Sequence, residues 1–344
     1  MQSPYWRVQV VERSRPQRVI IYLVQVSSRV PPPHKQTPLV DYLAQRFTYI
    51  PADLWHARVR AGSVFRNNQP ATLETTVGQG DTITCEIPDY TPPEFNTAYT
   101  IVYEDEWLLG INKPANLRVH GHGKWTTANL IYHLRTQHEP PYPDTHLINR
   151  LDADTTGVVL VARDLETLKR MGTLFLTQQV EKTYLGVVMG IPTPAQGVID
   201  KPIGPVQGAK AKTRHGVENI DKPRTAVTEY KLLRPLSAHH ALLQLHPLTG
   251  RTHQLRVHLA AIGHPLVGDA LYQMDDEHYL AWCEGQYEPD PPLHLERQAL
   301  HCAETRFTHP WTGHLCTISA PLPEDWHSLI QSLSNHPQTG SIQT

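Results

Sequence analysis

Residues 5–12 and 18–26 alternate polar and apolar positions (Trp6, Val8 and Val10; then Ile20, Tyr22 and Val24), with Arg13-Ser14-Arg15-Pro16 between them. A period of two turns one face of a strand towards a core, so this stretch predicts an N-terminal hairpin. Pro31-Pro32-Pro33 follows as a stiff spacer. The period then changes. After Thr37-Pro38, the residues Leu39, Val40, Leu43, Ala44 and Phe47 recur with helical spacing. A second short helix is predicted over 51–60, with Asp53 near its start and Gly62 as its stop. Ser63-Val64-Phe65 and Thr82 to Ile87 read as strands, and Asn67-Asn68-Gln69-Pro70 and Gly78-Gln79-Gly80-Asp81 as turns.

A proline-rich stretch, residues 89–96, separates this small unit from a larger one that starts near Tyr99. In the larger unit short strand-like runs mix with two or three helical ones. They lack the strand–helix alternation of a parallel sheet, so the class is α+β. Val158 to Ala162 is an apolar strand after a polar turn. Leu242 to Leu248 is another, followed by the turn Thr249-Gly250-Arg251-Thr252, with Thr252 as the expected helix N-cap. Leu255, Leu259 and Ile262 share a helix face that Gly263 ends. The expected division is a hairpin extension over 1–34, an α+β module over 35–90, a linker over 91–98, a large domain over 99–330 and a flexible tail over 331–344.

Composition narrows the function. With 344 residues, 40% of them hydrophobic, the chain can bury a core, and its 30 prolines fall between apolar runs, as loops do. No apolar run is long enough to span a bilayer; Val19 to Val24 is only strand-length. The N-terminus lacks a secretory pattern, so a cytoplasmic location is expected. Cys85, Cys283, Cys302 and Cys316 form no Cys-x-x-Cys pair and read as reduced thiols. His120 and His122 flank Gly121, but no cysteine or carboxylate lies beside them to complete a metal set, so a polar loop is expected and no metal. The net charge of −2 hides an uneven distribution. Residues 201–235 carry eight Lys or Arg against three acids, whereas residues 275–296 carry seven acids and no Lys or Arg. Polyanion binding depends on the local patch, so the basic stretch is a candidate nucleic-acid surface through Lys210, Lys212 and Arg214. A solvated face remains the alternative for either stretch.

The segment 146–162, HLINRLDADTTGVVLVA, carries the candidate chemistry. It places two carboxylates, Asp152 and Asp154, in a polar turn at the head of a strand, where a rigid scaffold can aim a loop residue. On chemistry alone, a turn or capping role for either aspartate stands beside catalysis.

The wider pattern resembles the RluA-type pseudouridine synthases. NRLDADTTG is similar to that family's Arg-Leu-Asp-x-x-Thr-Ser-Gly signature, with Asn149 and Thr156 where His and Ser are usual. In order along the chain, the segments 101–123, 180–190, 242–272 and 297–313 resemble the family's other motifs, with Asn116 replacing a glycine. Ordered sets of motifs seldom arise by accident. The resemblance covers roughly residues 99–325. It implies a large mixed, mainly antiparallel sheet with flanking helices, and it makes Asp152 the catalytic carboxylate. It places Arg150 and Tyr184 at the active site, the latter packed against the target base, and it makes Arg251 the cation that pairs with Asp152. Residues 41–88 resemble the S-four-type RNA-binding module, in which Arg58, Arg60 and Arg66 would face RNA. The implied activity is isomerisation of uridine to pseudouridine in ribosomal or transfer RNA by a monomer without cofactor. His253, His258 and His264 are expected to hold local structure. The acidic stretch 275–296 is a candidate for limiting which RNAs dock. Two alternatives remain: a non-catalytic RNA-binding or assembly protein of the same fold, and a glycoside hydrolase using Asp152 with Asp154, which would need two opposed carboxylates.

Overall fold

A computed structural model describes residues 7–14, 20–47, 50–87, 91–121, 123–290 and 293–334. The chain divides into two compact units: Met1–Phe95 with His120–His133, and Asn96–Val119 with Leu134–Thr344. The second therefore starts near the expected boundary, but residues 120–133 group with the first.

In the first unit, β1 (Arg7–Ser14) and β2 (Ile20–Arg29) pair antiparallel, as the alternation predicts. Residues 15 and 16, read as part of the connection, lie outside the described residues. Helices α1 (Leu39–Arg46) and α2 (Ala52–Arg60) follow, then β3 (Val64–Arg66), β4 (Gln69–Pro70) and β5 (Thr82–Ile87). The sheet order is β1-β2-β5-β3-β4. The hairpin read as an extension thus contributes two strands to the module's own sheet, because β2 pairs with β5 from Val24↔Ile87 to Arg29↔Thr82. Asn67 and Asn68, at φ 50 and 65, make the two-residue turn between β3 and β4; asparagine tolerates that region and suits such a hairpin. Leu39, Tyr42, Leu43, Trp55, Val59, Val64, Ile83 and Cys85 form the core.

The second unit carries a ten-stranded sheet. Its strands are β6 (Thr100–Glu104), β7 (Leu108–Lys113), β8 (Thr156–Ala162), β9 (Val180–Met189), β10 (Gln196–Asp200), β11 (Val227–Ser237), β12 (His240–Pro247), β13 (Leu300–Thr308) and β14 (Leu315–Ser319). A short segment, His146–Leu147, joins at β8. The main order is β10-β11-β12-β9-β13-β8-β7-β6, with β14 on β13. Only β8 and β13 run parallel; the other pairs are antiparallel. The sheet is mixed and mainly antiparallel, as expected, and β8 is buried along its whole length. Helices α3 (Leu165–Leu176), α4 (Gln254–Ala261), α5 (Asp276–Cys283) and α6 (Glu324–Ser334) flank it. Helix α6 places Trp326, Leu329 and Leu333 in a core with Val187 and Ala299. Residues 331–334, read as the start of a flexible tail, therefore belong to a packed helix. The rest of that tail, 335–344, lies outside the described residues.

One glycine positions the site. Gly157 has φ +104, and a Cβ there would sit 2.1 Å from the Cys302 carbonyl oxygen. Only a residue without a side chain lets β8 lie this close to β13, and that closeness fixes the loop just before β8.

Candidate active site

Asp152 sits in that loop, and nearly every residue after it is tied down. Thr155 N–H donates to the Asp152 carbonyl (3.3 Å), and Leu117 N–H to the Ala153 carbonyl (3.2 Å). Asn116, in the left-handed region at φ 54, donates its N–H to Asp154 Oδ1 at 3.2 Å. Gln298, buried, donates to Thr155 Oγ1 at 3.2 Å, and Thr156 Oγ1 lies 2.8 Å from His301 Nδ1. Asn149 accepts from Leu160 N–H at 2.7 Å. So Asn149 and Thr156, the two departures from the family signature, both bond within the scaffold.

Lys113 is the strongest tie. It ends β7 opposite Gly157 and is fully buried. Its Nζ donates to the carbonyls of Pro114 (2.8 Å), Leu117 (2.9 Å) and Ala153 (2.7 Å). Burial pulls this amine down to about 7, against the nearby charges of Asp154 and Asp152, which favour the ammonium.

The charge that meets Asp152 comes from α4. Arg256 Nη1 donates to Asp152 Oδ2 at 3.0 Å. The other side of the same guanidinium is held by Asp269, with Nε to Oδ2 at 2.7 Å and Nη2 to Oδ1 at 2.8 Å. The Tyr272 ring lies 5.1 Å from the Arg256 Cζ. Arg256 and Asp269 are buried, while the Asp152 side chain keeps 30% of its surface exposed. A carboxylate fixed by a bidentate-held arginine yet open to solvent can meet a substrate with its charge aimed.

His253 completes the ring. It stands at φ 55 just before α4, with Nδ1 2.9 Å from the Tyr272 hydroxyl and Nε2 3.9 Å from Asp152 Oδ2. Burial, then the positive charge of Arg256, pushes it down to about 4 in spite of Asp152. For Asp152, burial favours protonation, but His253, Arg256 and Lys113 together outweigh it and leave the pKa below the ordinary value. At neutral pH His253 is uncharged, so the permanent cation Arg256 is what keeps Asp152 ionised.

The sequence-predicted residues fare differently. Tyr184 lies on β9, paired with Leu245 and Cys302, and is buried. Its hydroxyl is pushed far up by burial, then by Cys302 and Asp152, which puts it in the field of that carboxylate. Arg150 is exposed, two residues before Asp152. Arg251 does not pair with Asp152. Its Nε donates to the Thr225 carbonyl at 2.8 Å, and Arg256, five residues on, takes the expected place. Thr252 is not the N-cap either: the residue before α4 is His253, and Gln254 Oε1 accepts from Arg251 N–H (3.0 Å) and Thr249 Oγ1 (2.7 Å). Asp154 is engaged through its Oδ1 by the Asn116 N–H. His258 and His264 hold local structure, through Thr228 and Lys201 for the first and the Met189 carbonyl for the second. Among the described residues no group of His, Cys, Asp or Glu could hold a metal ion; His122 lies outside them.

The predicted RNA contacts are mostly occupied. Arg214 pairs with Asp276 and Lys210 with Glu277, so the acidic stretch closes directly onto the basic one. Lys212 is exposed. In the small unit Arg66 pairs with Asp81 (2.9 Å) and Arg58 lies over the Trp55 ring at 5.3 Å; Arg60 is exposed, with no ion pair among the described residues. Sequence reasoning missed Arg256, Asp269, Tyr272, His253 and Lys113. One signal was present: a charged residue inside the apolar run Leu255, Val257, Leu259 must be buried with a partner.

Residues 108–261 match the family described as RNA pseudouridylate synthase. The chain is 37% identical over 243 residues to the ribosomal large subunit pseudouridine synthase D of Pseudomonas aeruginosa, covering 68% of this chain and 71% of that protein. With the protein of the same name from Haemophilus influenzae it shares 32% identity over 338 residues, 90% of this chain and 95% of the relative. With that from Nitrosomonas europaea it shares 37% over 250 residues, 70% of this chain and 66% of the relative. Among solved structures, human RNA pseudouridylate synthase domain containing 1 aligns with a TM-score of 0.52 at 24% identity, over 72% of this chain and 99% of that one, a likeness of fold. Among the described residues, no helix is long and apolar enough to cross a membrane.

Proposed function

Since the chain belongs to the RNA pseudouridylate synthase family, whose reaction turns uridine into pseudouridine, we propose that Asp152 carries out that isomerisation and that the substrate is large-subunit ribosomal RNA. The reaction breaks the bond between the sugar C1′ and uracil N1, turns the ring, and forms a bond from C1′ to C5. The C5 proton is lost and N1 gains one, so no redox partner is needed. The single observation that carries the assignment is the Arg256 contact to Asp152 at 3.0 Å, with Arg256 itself gripped by buried Asp269. It delivers an ionised carboxylate at neutral pH, competent as nucleophile or base. Tyr184 supports the base beside it, and Arg150, exposed two residues before Asp152, meets the RNA. Extruding a nucleotide costs a few kcal/mol, which stacking on an aromatic ring offsets in part.

Arg60 and Lys212, exposed and without an ion pair among the described residues, serve as RNA contacts. Arg58, Arg66, Lys210 and Arg214 contribute less, because each is packed or paired within the protein. The choice of ribosomal over transfer RNA is supported by the printed names of the relatives, and a cytoplasmic location goes with that substrate. The glycoside-hydrolase reading loses support from Asp154, whose carboxylate accepts a backbone N–H. The test is to incubate the protein with in vitro transcribed large-subunit ribosomal RNA and map pseudouridine by sequencing. Conversion of one or a few defined uridines is expected. Conversion confined to transfer RNA, or release of free uracil, would overturn the proposal.

A further inference from the structure

Arg251 leaves Asp152 to Arg256 and turns to a neighbouring segment. Its Nε bonds the carbonyl of Thr225, the residue next to Arg224. The two backbones are laced together: Leu248 N–H donates to the Val227 carbonyl (3.0 Å), and Val227 N–H to Thr249 Oγ1 (3.0 Å). Arg224 is fixed in turn by reciprocal backbone bonds with Ile203, at 2.9 and 3.0 Å. The two arginines therefore stand on segments that are held together, and the Arg224 charge is felt at Arg251, whose pKa burial and then that charge lower.

Four other cations near the site are closed by acids: Arg256 by Asp152 and Asp269, Arg214 by Asp276, Lys210 by Glu277, Arg297 by Asp325. Among the described residues, Arg224 and Arg251 have no carboxylate within ion-pair distance. Two adjacent guanidinium groups without an acid repel each other unless an anion joins them, and a planar fork is suited to phosphate. Arg224, Gly250 and Thr252 are exposed, and a Cβ on Gly250 would meet nothing within 4 Å, so the turn faces open space. The place is also apt. Two residues of chain span at most about 7 Å, so Arg251 lies that close, Cα to Cα, to His253, whose Nε2 is 3.9 Å from Asp152.

We propose that Arg224 and Arg251 form a two-arginine clamp for one phosphodiester of the RNA, beside the nucleotide presented to Asp152. The clamp rests on the reading of RNA as substrate, and its test measures binding, so that it does not depend on turnover. The full-length protein is titrated with fluorescent in vitro transcribed large-subunit ribosomal RNA over a range of salt. R251Q, R224Q and the double variant are compared with K231Q, which removes one exposed charge from β11. Each clamp variant should weaken binding about tenfold near 0.1 M salt. The slope of log affinity against log salt should fall by about 1, and by no more in the double variant, since both arginines meet one phosphate. R251K should keep the slope and lose affinity, because it keeps the charge without the fork. Unchanged binding in R251Q and R224Q, an equal loss in K231Q, or a slope change of about 2 in the double variant would overturn the clamp. So would a loss in R251Q confined to the saturated rate of conversion. Failure of wild-type protein to form pseudouridine while the clamp variants lose binding would remove the isomerase reading and leave the clamp.

Discussion

Two arginines approach the Tyr272 ring, Arg256 at 5.1 Å and Arg214 at 5.9 Å, and each is closed by an aspartate. The Arg256 side is interior: Asp269 is buried, the contact is bidentate, and the remaining Nη1 is aimed at Asp152. On the Arg214 side the pair with Asp276 is partly covered, at 16% and 18% side-chain exposure, but its surroundings are open. Helix α5, which brings Asp276 and Glu277, buries none of its residues, and its Lys210–Glu277 pair is largely exposed. Buried pairs with full geometry are costly to break and fix direction, whereas exposed pairs contribute little and yield to competing anions. One arginine therefore sets the charge of the carboxylate, and on the other side Asp276 and Glu277 trim the positive field of Arg214 and Lys210. Basic charge counted along the chain overstates the surface that RNA finds, because the stretch 275–296 cancels part of 201–235 by direct contact.

Arg256→Ala should break the interior side most severely. It leaves Asp269 buried and Asp152 without its permanent cation, at a cost of about 3–5 kcal/mol, readable as a lower urea midpoint. A loss below about 1 kcal/mol would mean that the pair is not held as described.

The next effect is on pH. The His253 pKa falls from 6.5 in the unfolded chain to about 4 in the folded one. Between those values the unfolded chain binds the proton and the folded one does not. This contribution is therefore complete above pH 6.5 and is lost as pH drops to 4. At 1.36 kcal/mol per unit it amounts to about 3 kcal/mol at most. His253→Asn should flatten the melting temperature between pH 6.5 and 4. Asp152, whose pKa lies below its ordinary 3.8, contributes in a lower window: its share is lost only as pH falls through that depressed value. Equal slopes in wild type and variant would contradict the buried, uncharged histidine.

The smallest effect belongs to the Arg214 side. Glu277→Gln should shift stability by less than about 1 kcal/mol and tighten RNA binding two- to threefold at low salt, measured by filter retention. Weaker binding would show that the acid aids docking.

Much of the fold was legible because its signals are local. The switch from a two-residue to a helical period located α1 and the apolar run at 158–162 located β8, whereas Gln69-Pro70, read as part of a turn with Asn67-Asn68, is the strand β4. Asp152 stood out through the motif around it. The partner of Asp152 did not, because Arg251 and Arg256 flank the same turn and only the path of α4 decides which one enters the core. Spacing could not separate them; burial could have, since Arg256 lies among Leu255, Val257 and Leu259 while Arg251 follows an exposed glycine. Asp269, Tyr272 and Lys113 reach the site from distant segments, and no pattern along the chain links them. The mutual cancellation of 201–235 and 275–296 is likewise a contact between segments some sixty residues apart.

The most direct measurement is single-turnover conversion of large-subunit ribosomal RNA by wild type and Asp152→Asn, with unfolding curves of both. The variant keeps a side chain of the same shape but no charge for Arg256 to meet. Melting within a few degrees of wild type and a rate lower by about a thousandfold or more is the predicted result. Pseudouridine formation by the variant at a rate near that of wild type would contradict a catalytic role for Asp152.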